Sequence, residues 1–100
     1  MMFRFELRDP DILVISPAFG MNLFTASIFY REVTELIIST KPKYLLVDMV
    51  HIPIVQSLDL GVLGTLYKYM KSLNGEMAIC SCSKGVMESL KLSGMSEVLR

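Results

Sequence analysis

Apolar and polar residues alternate from Phe3 to Arg8, which puts Phe3, Phe5 and Leu7 on one face of a half-buried strand. Asp9-Pro10-Asp11 is a turn sequence. Ile12 to Ser16 is a second, more apolar strand, and Pro17 stops it. Two such runs joined by a short turn predict a hairpin. The period then changes. Ala26, Phe29, Tyr30, Val33, Leu36 and Ile37 recur at three- and four-residue spacing, with Arg31, Glu32 and Glu35 on the other side. This is an amphipathic helix that Asn22 can cap, running to about Thr40 and ended by Lys41-Pro42-Lys43. Tyr44 to Val50 is a near-continuous apolar run, as expected for a strand covered on both faces. A loop containing Pro53 leads to a second helix, Ser57 to Leu73, closed by Asn74-Gly75. Met77 to Cys80 is a fourth strand, and Ser83 caps a third helix that ends at Ser93-Gly94-Met95.

The order β-β-α-β-α-β-α predicts an α/β fold. Its mixed sheet of about four strands begins with the N-terminal hairpin and continues with parallel strands, and helices pack on it. The crossovers should be right-handed. A chain of 100 residues fits a single domain over residues 1–100, with no internal repeat or linker.

Composition narrows the function. Hydrophobic residues make up 52% of the chain, enough for a packed core, and ten basic residues balance ten acidic ones. Nucleic-acid and anionic-membrane binding both call for an excess of positive charge, so neither is expected. The longest uncharged stretch, Ile12 to Tyr30, is broken by Pro17, Gly20 and Asn22, so membrane insertion is not expected either. The N-terminus alternates charged and apolar residues and lacks a signal-peptide core, which points to the cytoplasm. Cys80 and Cys82 sit at i and i+2 of a strand, with Cα atoms about 7 Å apart, a poor fit to a disulfide.

Little in the chain suits catalysis. His51 is the sole histidine, at a strand end. Gly61 and Gly64 lie inside a helix and lack the Lys and Ser/Thr of a phosphate loop. Cys80-Ser81-Cys82 lacks the second ligand pair of a zinc site. The expectation is a protein that is not an enzyme, with no cofactor, metal or catalytic residue.

The informative stretch is Ile52 to Leu73. Ser57 follows a strand and opens a helix, at the carboxyl end of the sheet where α/β folds place their sites. It suits an N-cap, or a phosphoacceptor whose phosphate would add about −1.5 to −2 charge. The helix carries two apolar stripes. Leu60, Leu63, Tyr67 and Met70 face the core, while Leu58, Val62, Leu66 and Tyr69 lie around from them. The second stripe is either deeply buried or an exposed patch for a partner. Gly61 and Gly64 would let that partner approach the backbone.

Ser57-Leu58-Asp59-Leu60-Gly61-Val62-Leu63-Gly64 resembles the STAS signature Asp-Ser-Ser/Thr-Gly-Leu-Gly followed by an apolar helix. Gly75 to Cys80 resembles that family's fourth strand, and Leu92-Ser93-Gly94-Met95 its Leu-Ser-Gly-Leu helix end. The likeness covers nearly the whole chain and is nearest to the bacterial anti-sigma-factor antagonists. It implies transcription regulation by partner switching: the antagonist binds an anti-sigma-factor kinase, or another ATPase-type partner, until the kinase phosphorylates it. The matching phosphoacceptor is Ser57, and the implied partner-binding set is Gln56, Ser57, Leu58, Asp59, Gly61, Val62, Leu66 and Tyr69. Three positions depart from the signature. Gln56 replaces its Asp, Leu58 its second Ser/Thr, and Asp59 its Gly. Asp59 would set a fixed negative charge beside the acceptor. The chain also stops soon after Gly94, where many relatives add a strand and a helix. That shortening resembles the small STAS subunit of bacterial lipid-transport ABC complexes, which implies an alternative: a constitutive, unphosphorylated subunit. The exposed edge or helix face so left also brings a homodimer into view.

Overall fold

A computed structural model describes residues 2–98, so the ends of the expected 1–100 domain lie outside the described residues. The elements are β1 (Phe3–Arg8), β2 (Ile12–Pro17), α1 (Leu23–Thr40), β3 (Tyr44–Asp48), α2 (Ser57–Ser72), β4 (Glu76–Cys80) and α3 (Lys84–Leu92), followed by a 3-10 turn at Ser96–Val98. The sheet order is β1-β2-β3-β4. β1 is antiparallel to β2, and β2, β3 and β4 run parallel. The expected order and mixed sheet are what forms.

Local chemistry sets the boundaries. Asp9 turns the hairpin with φ 52°, in the left-handed region that a short polar side chain tolerates. Asn22 caps α1 reciprocally: its Oδ1 accepts from the amides of Phe24 and Thr25, and Thr25 Oγ1 accepts from the Asn22 amide. Lys41 ends α1 at φ 50°. At the end of α2 it is Asn74 that takes positive φ, while Gly75 serves close approach. A Cβ at Gly75 would stand 3.0 Å from the Lys43 carbonyl and 2.6 Å from the Met70 methyl. Ser83 Oγ caps α3 through the Val86 amide, and Gly94 leaves it at φ 77°.

The register explains the core. Phe5, Ile15, Val47 and Ile79 form one row across the sheet, and Leu7, Leu13, Leu45 and Met77 the next. On β2, β3 and β4 these rows are buried. They join Phe29, Val33 and Ile37 of α1, Leu63, Leu66 and Met70 of α2, and Val86 and Leu90 of α3 in one apolar cluster. The opposite face carries Glu6, Val14, Leu46 and Ala78, then Arg8, Ile12, Tyr44 and Glu76, none of which belongs to that cluster. The expectation that β3 is covered on both faces is therefore corrected: Leu46 is half-buried and Tyr44 exposed. The apolar run misled because consecutive apolar residues conceal which face the helices cover.

Candidate docking site

Because β2, β3 and β4 are parallel, their carboxyl ends and the loops that follow gather at one end of the sheet. Those loops are tied by hydrogen bonds to main chain. Asp59 lies in the first turn of α2 and is 6% exposed. Its Oδ1 accepts from the Met21 amide at 2.7 Å, and its Oδ2 from the Gln56 amide at 2.8 Å. One carboxylate thus holds the start of α2 to the loop between β2 and α1. It also sits at a helix N-terminus, where a negative charge is favoured. Ser83 Oγ donates to the Pro53 carbonyl at 3.0 Å and so joins the loop after β4 to the loop after β3.

Ser57 is the first residue of α2, and Gln56 holds the N-cap position. The N-cap reading of Ser57 is thereby corrected. Its side chain is exposed and its hydroxyl has no hydrogen-bond partner among the described residues. The cap was misplaced because Asp59, two residues after Ser57, satisfies the Gln56 amide from inside the helix. Gln56 and Gly61 are exposed, and Leu58 and Tyr69 are half-buried.

Val62 and Leu66 differ from expectation. Both are buried in the core cluster with Leu63 and Met70, so the second apolar stripe of α2 is not an exposed patch. Asp59 likewise turns inward. Val62 and Leu66 are buried because α1 lies alongside α2, and the side of α2 left to solvent is Ser57, Gly61, Thr65, Lys68 and Ser72. A shallow groove between the helices is lined by Ala26, Ser27 and Tyr30 of α1 and by Ser57, Leu58, Gly61, Val62 and Thr65 of α2, with Val62 at its buried floor.

The exposed apolar residues at this end come from elsewhere. Leu23 and Phe24 are each 83% exposed and Ile54 70%, with Val50 and Phe19 also exposed. Leu23 shares a helical stripe with Ser27 and Tyr30 and so continues the wall of the groove. The sequence held one signal for this: Leu23 and Phe24 fall outside the Ala26, Phe29, Val33 and Ile37 stripe that packs on the sheet.

Two further features bear on chemistry. Cys80 and Cys82 are half-buried free thiols, and burial, with smaller contributions from Cys80 and Asp48, pushes the Cys82 thiol up, away from a reactive thiolate. Among the described residues no group of three or more His, Cys, Asp or Glu side chains is placed to hold a metal ion, and no helix is long and apolar enough to cross a membrane.

The STAS domain family matches residues 7–100. The chain is a STAS domain. Among solved structures, it is similar to the anti-sigma factor antagonist SpoIIAA in its unphosphorylated form. That match has a TM-score of 0.85 and 12% identity, over 98% of this chain and 85% of that one. The phosphorylated form, from Bacillus, matches with a TM-score of 0.77 and 13% identity, over 98% and 88%. The murine Solute Carrier 26 family member A9 anion transporter matches with a TM-score of 0.65 and 17% identity, over 86% of this chain and 14% of that one. Identities this low establish the shared STAS fold alone.

Within this STAS domain Gly61 is not required by packing: a Cβ there meets nothing within 4 Å. A mid-helix glycine with free space is a cost to the helix. Gly61→Ala is expected to stabilise the domain by about 0.5–1 kcal/mol. A urea titration followed by circular dichroism checks this; an unchanged or lowered midpoint would contradict it.

Proposed function

We propose that this STAS domain is a regulatory docking module of the anti-sigma-factor-antagonist kind, in which a kinase-type partner seats on the groove beside Ser57 and on the apolar rim formed by Leu23, Phe24 and Ile54. The observation that carries the reading is the exposed, unbonded hydroxyl of Ser57 on the first turn of α2, beside the groove. A partner kinase would transfer the γ-phosphoryl of ATP to Ser57 Oγ, with the hydroxyl proton leaving to a base or water and ADP as product. The phosphate would gain from the helix N-terminus, yet it would place about −1.5 to −2 charge at the edge of an apolar contact. Docking would weaken, and the partner would be released to its other ligand. The module itself catalyses nothing in this scheme and works in the cytoplasm without a cofactor.

The departures from the family signature fit this scheme better than they first suggest. The charge of Asp59 is engaged by two amides and points inward, so it does not mimic a phosphate at the surface. The test pairs the domain with an anti-sigma-factor kinase from the same organism. Incubation with the kinase and MgATP should add one phosphate, mapped to Ser57 by mass spectrometry and absent from Ser57→Ala. Ser57→Asp should weaken binding about ten-fold, and Ser57→Ala little, by titration calorimetry. Equal binding of wild type and both variants would end the switching scheme.

A second reading is a constitutive subunit that docks the ATPase of a transport assembly through the same surface. The STAS fold inside an anion transporter chain favours it. It predicts co-purification with that ATPase and no phosphate on Ser57 in cells.

A further inference from the structure

β1 is an edge strand, and its free side has a defined chemistry. The Ala18 amide donates to the Met2 carbonyl at 2.9 Å, so Met2 turns its peptide groups toward β2. In an antiparallel ladder this role alternates. Arg4, Glu6 and Arg8, opposite Ser16, Val14 and Ile12, therefore bond β2. Phe3, Phe5 and Leu7 point their N–H and C=O groups outward, with no strand to receive them. Pro17, which has no N–H, sits opposite Phe3, where none is needed.

Apart from the charges of Arg4, Glu6 and Arg8, this edge carries none of the usual protection. It is six residues long and regular, without proline, lysine or a bulge. Phe5 is 54% exposed and Leu7 45%, although both lie on the core-facing side of the sheet. Phe3 and Phe5 line an open groove against Glu32, Glu35, Leu36 and Ser39 of α1. On the other face Arg8 pairs with Glu6 of its own strand at 3.2 Å, whereas Arg4 has no acidic partner among the described residues.

We propose that β1 is a self-recognition edge, at which two copies of this chain pair antiparallel about a two-fold axis through Phe5. Phe5 would then stand opposite Phe5 of the second copy, and Phe3 opposite its Leu7. Every outward N–H and C=O of Phe3, Phe5 and Leu7 would find a partner in a continuous sheet through both copies. Charge selects this register. It sets Arg4 opposite the second copy's Glu6, on both sides of the axis. A shift that centres the pair on Glu6 would face glutamate with glutamate and Arg4 with Arg8, which is unfavourable. Centring on Leu7 would pair Glu6 with Arg8, but it would set Phe5 against Asp9 and leave the outward groups of Phe3 without a partner strand. Glu32 and Glu35 line the groove of both copies, so the pairing is weak and reversible, in the class of small interfaces. It uses neither Ser57 nor its loop and stands independently of the docking proposal.

Sedimentation velocity at concentrations up to roughly 1 mM should show a reversible monomer–dimer equilibrium for the wild type. Phe5→Pro removes an outward N–H that β2 does not use, so it should keep the folded circular dichroism spectrum and abolish the dimer. Should that variant unfold, the charge variants decide. Glu6→Arg and Arg4→Glu should each weaken the dimer about ten-fold, and the double variant Arg4→Glu/Glu6→Arg should restore it. A wild type that stays monomeric overturns the proposal. So does a dimer that survives folded Phe5→Pro, or one that the double charge reversal fails to restore.

Discussion

Asp59→Ala is expected to lower the unfolding free energy of the domain by about 3 kcal/mol. Hydrogen bonds to a charged group contribute about 1.5–3 kcal/mol each, and the Asp59 carboxylate accepts two, from Met21 and Gln56. The desolvation cost of burying a carboxylate offsets part of that sum. Removal leaves the buried Met21 amide and the part-buried Gln56 amide without their acceptor. Asp59→Asn should recover only a fraction, because an amide offers one acceptor oxygen and turns a donor toward the second N–H. Chemical denaturation measures the total. Hydrogen exchange localises it: the Met21 and Gln56 amides should exchange much faster in Asp59→Ala, beyond what global destabilisation produces. A loss below about 1 kcal/mol would show that the bonds are replaced by water at little cost.

The second large effect separates binding from folding. The double variant Leu23→Asp/Phe24→Asp should weaken docking of the kinase-type partner about a hundred-fold, or about 2.7 kcal/mol, while leaving the domain as stable as before. Both side chains are 83% exposed, so folding gains little from them. Acidic residues in the first turn of α1 are favoured by the helix dipole, and Asn22 still caps it. The cost falls on the complex, where two carboxylates would have to be desolvated against an apolar surface. Calorimetric titration beside thermal unfolding checks both halves. Undiminished affinity would move the docking surface away from the start of α1.

The contrast between these residues shows what could be read from the sequence. Element order, the Asn22 and Ser83 caps and the turn at Gly94 were legible because each depends on neighbours within a few residues. The place of Ser57 at the start of α2, after a strand, was legible for the same reason. The role of Asp59 was not legible. It rests on the Met21 amide, thirty-eight residues away in sequence, and a charge near a helix start looks the same whether it faces solvent or core. Whether Val62 and Leu66 are buried or exposed stayed open in the sequence, because two apolar stripes on one helix do not say how wide an arc its neighbours cover. Leu23 and Phe24 were partly legible. Their position off the core stripe was visible on the helix, but apolar residues just after a cap resemble the beginning of a buried face.

The grip of Asp59 has one consequence for how such a surface can change. Its carboxylate holds the main-chain amides of Met21 and Gln56 and touches no side-chain donor. Main-chain amides are supplied by every residue except proline. The path of both loops is therefore indifferent to most of the residues displayed along them. Phe19, Val50 and Ile54 can be exchanged for other side chains without releasing the fold beneath. In the proposed docking role, mutation could therefore redirect the surface to a new partner without first surrendering stability, so long as the one buried acid stays in place.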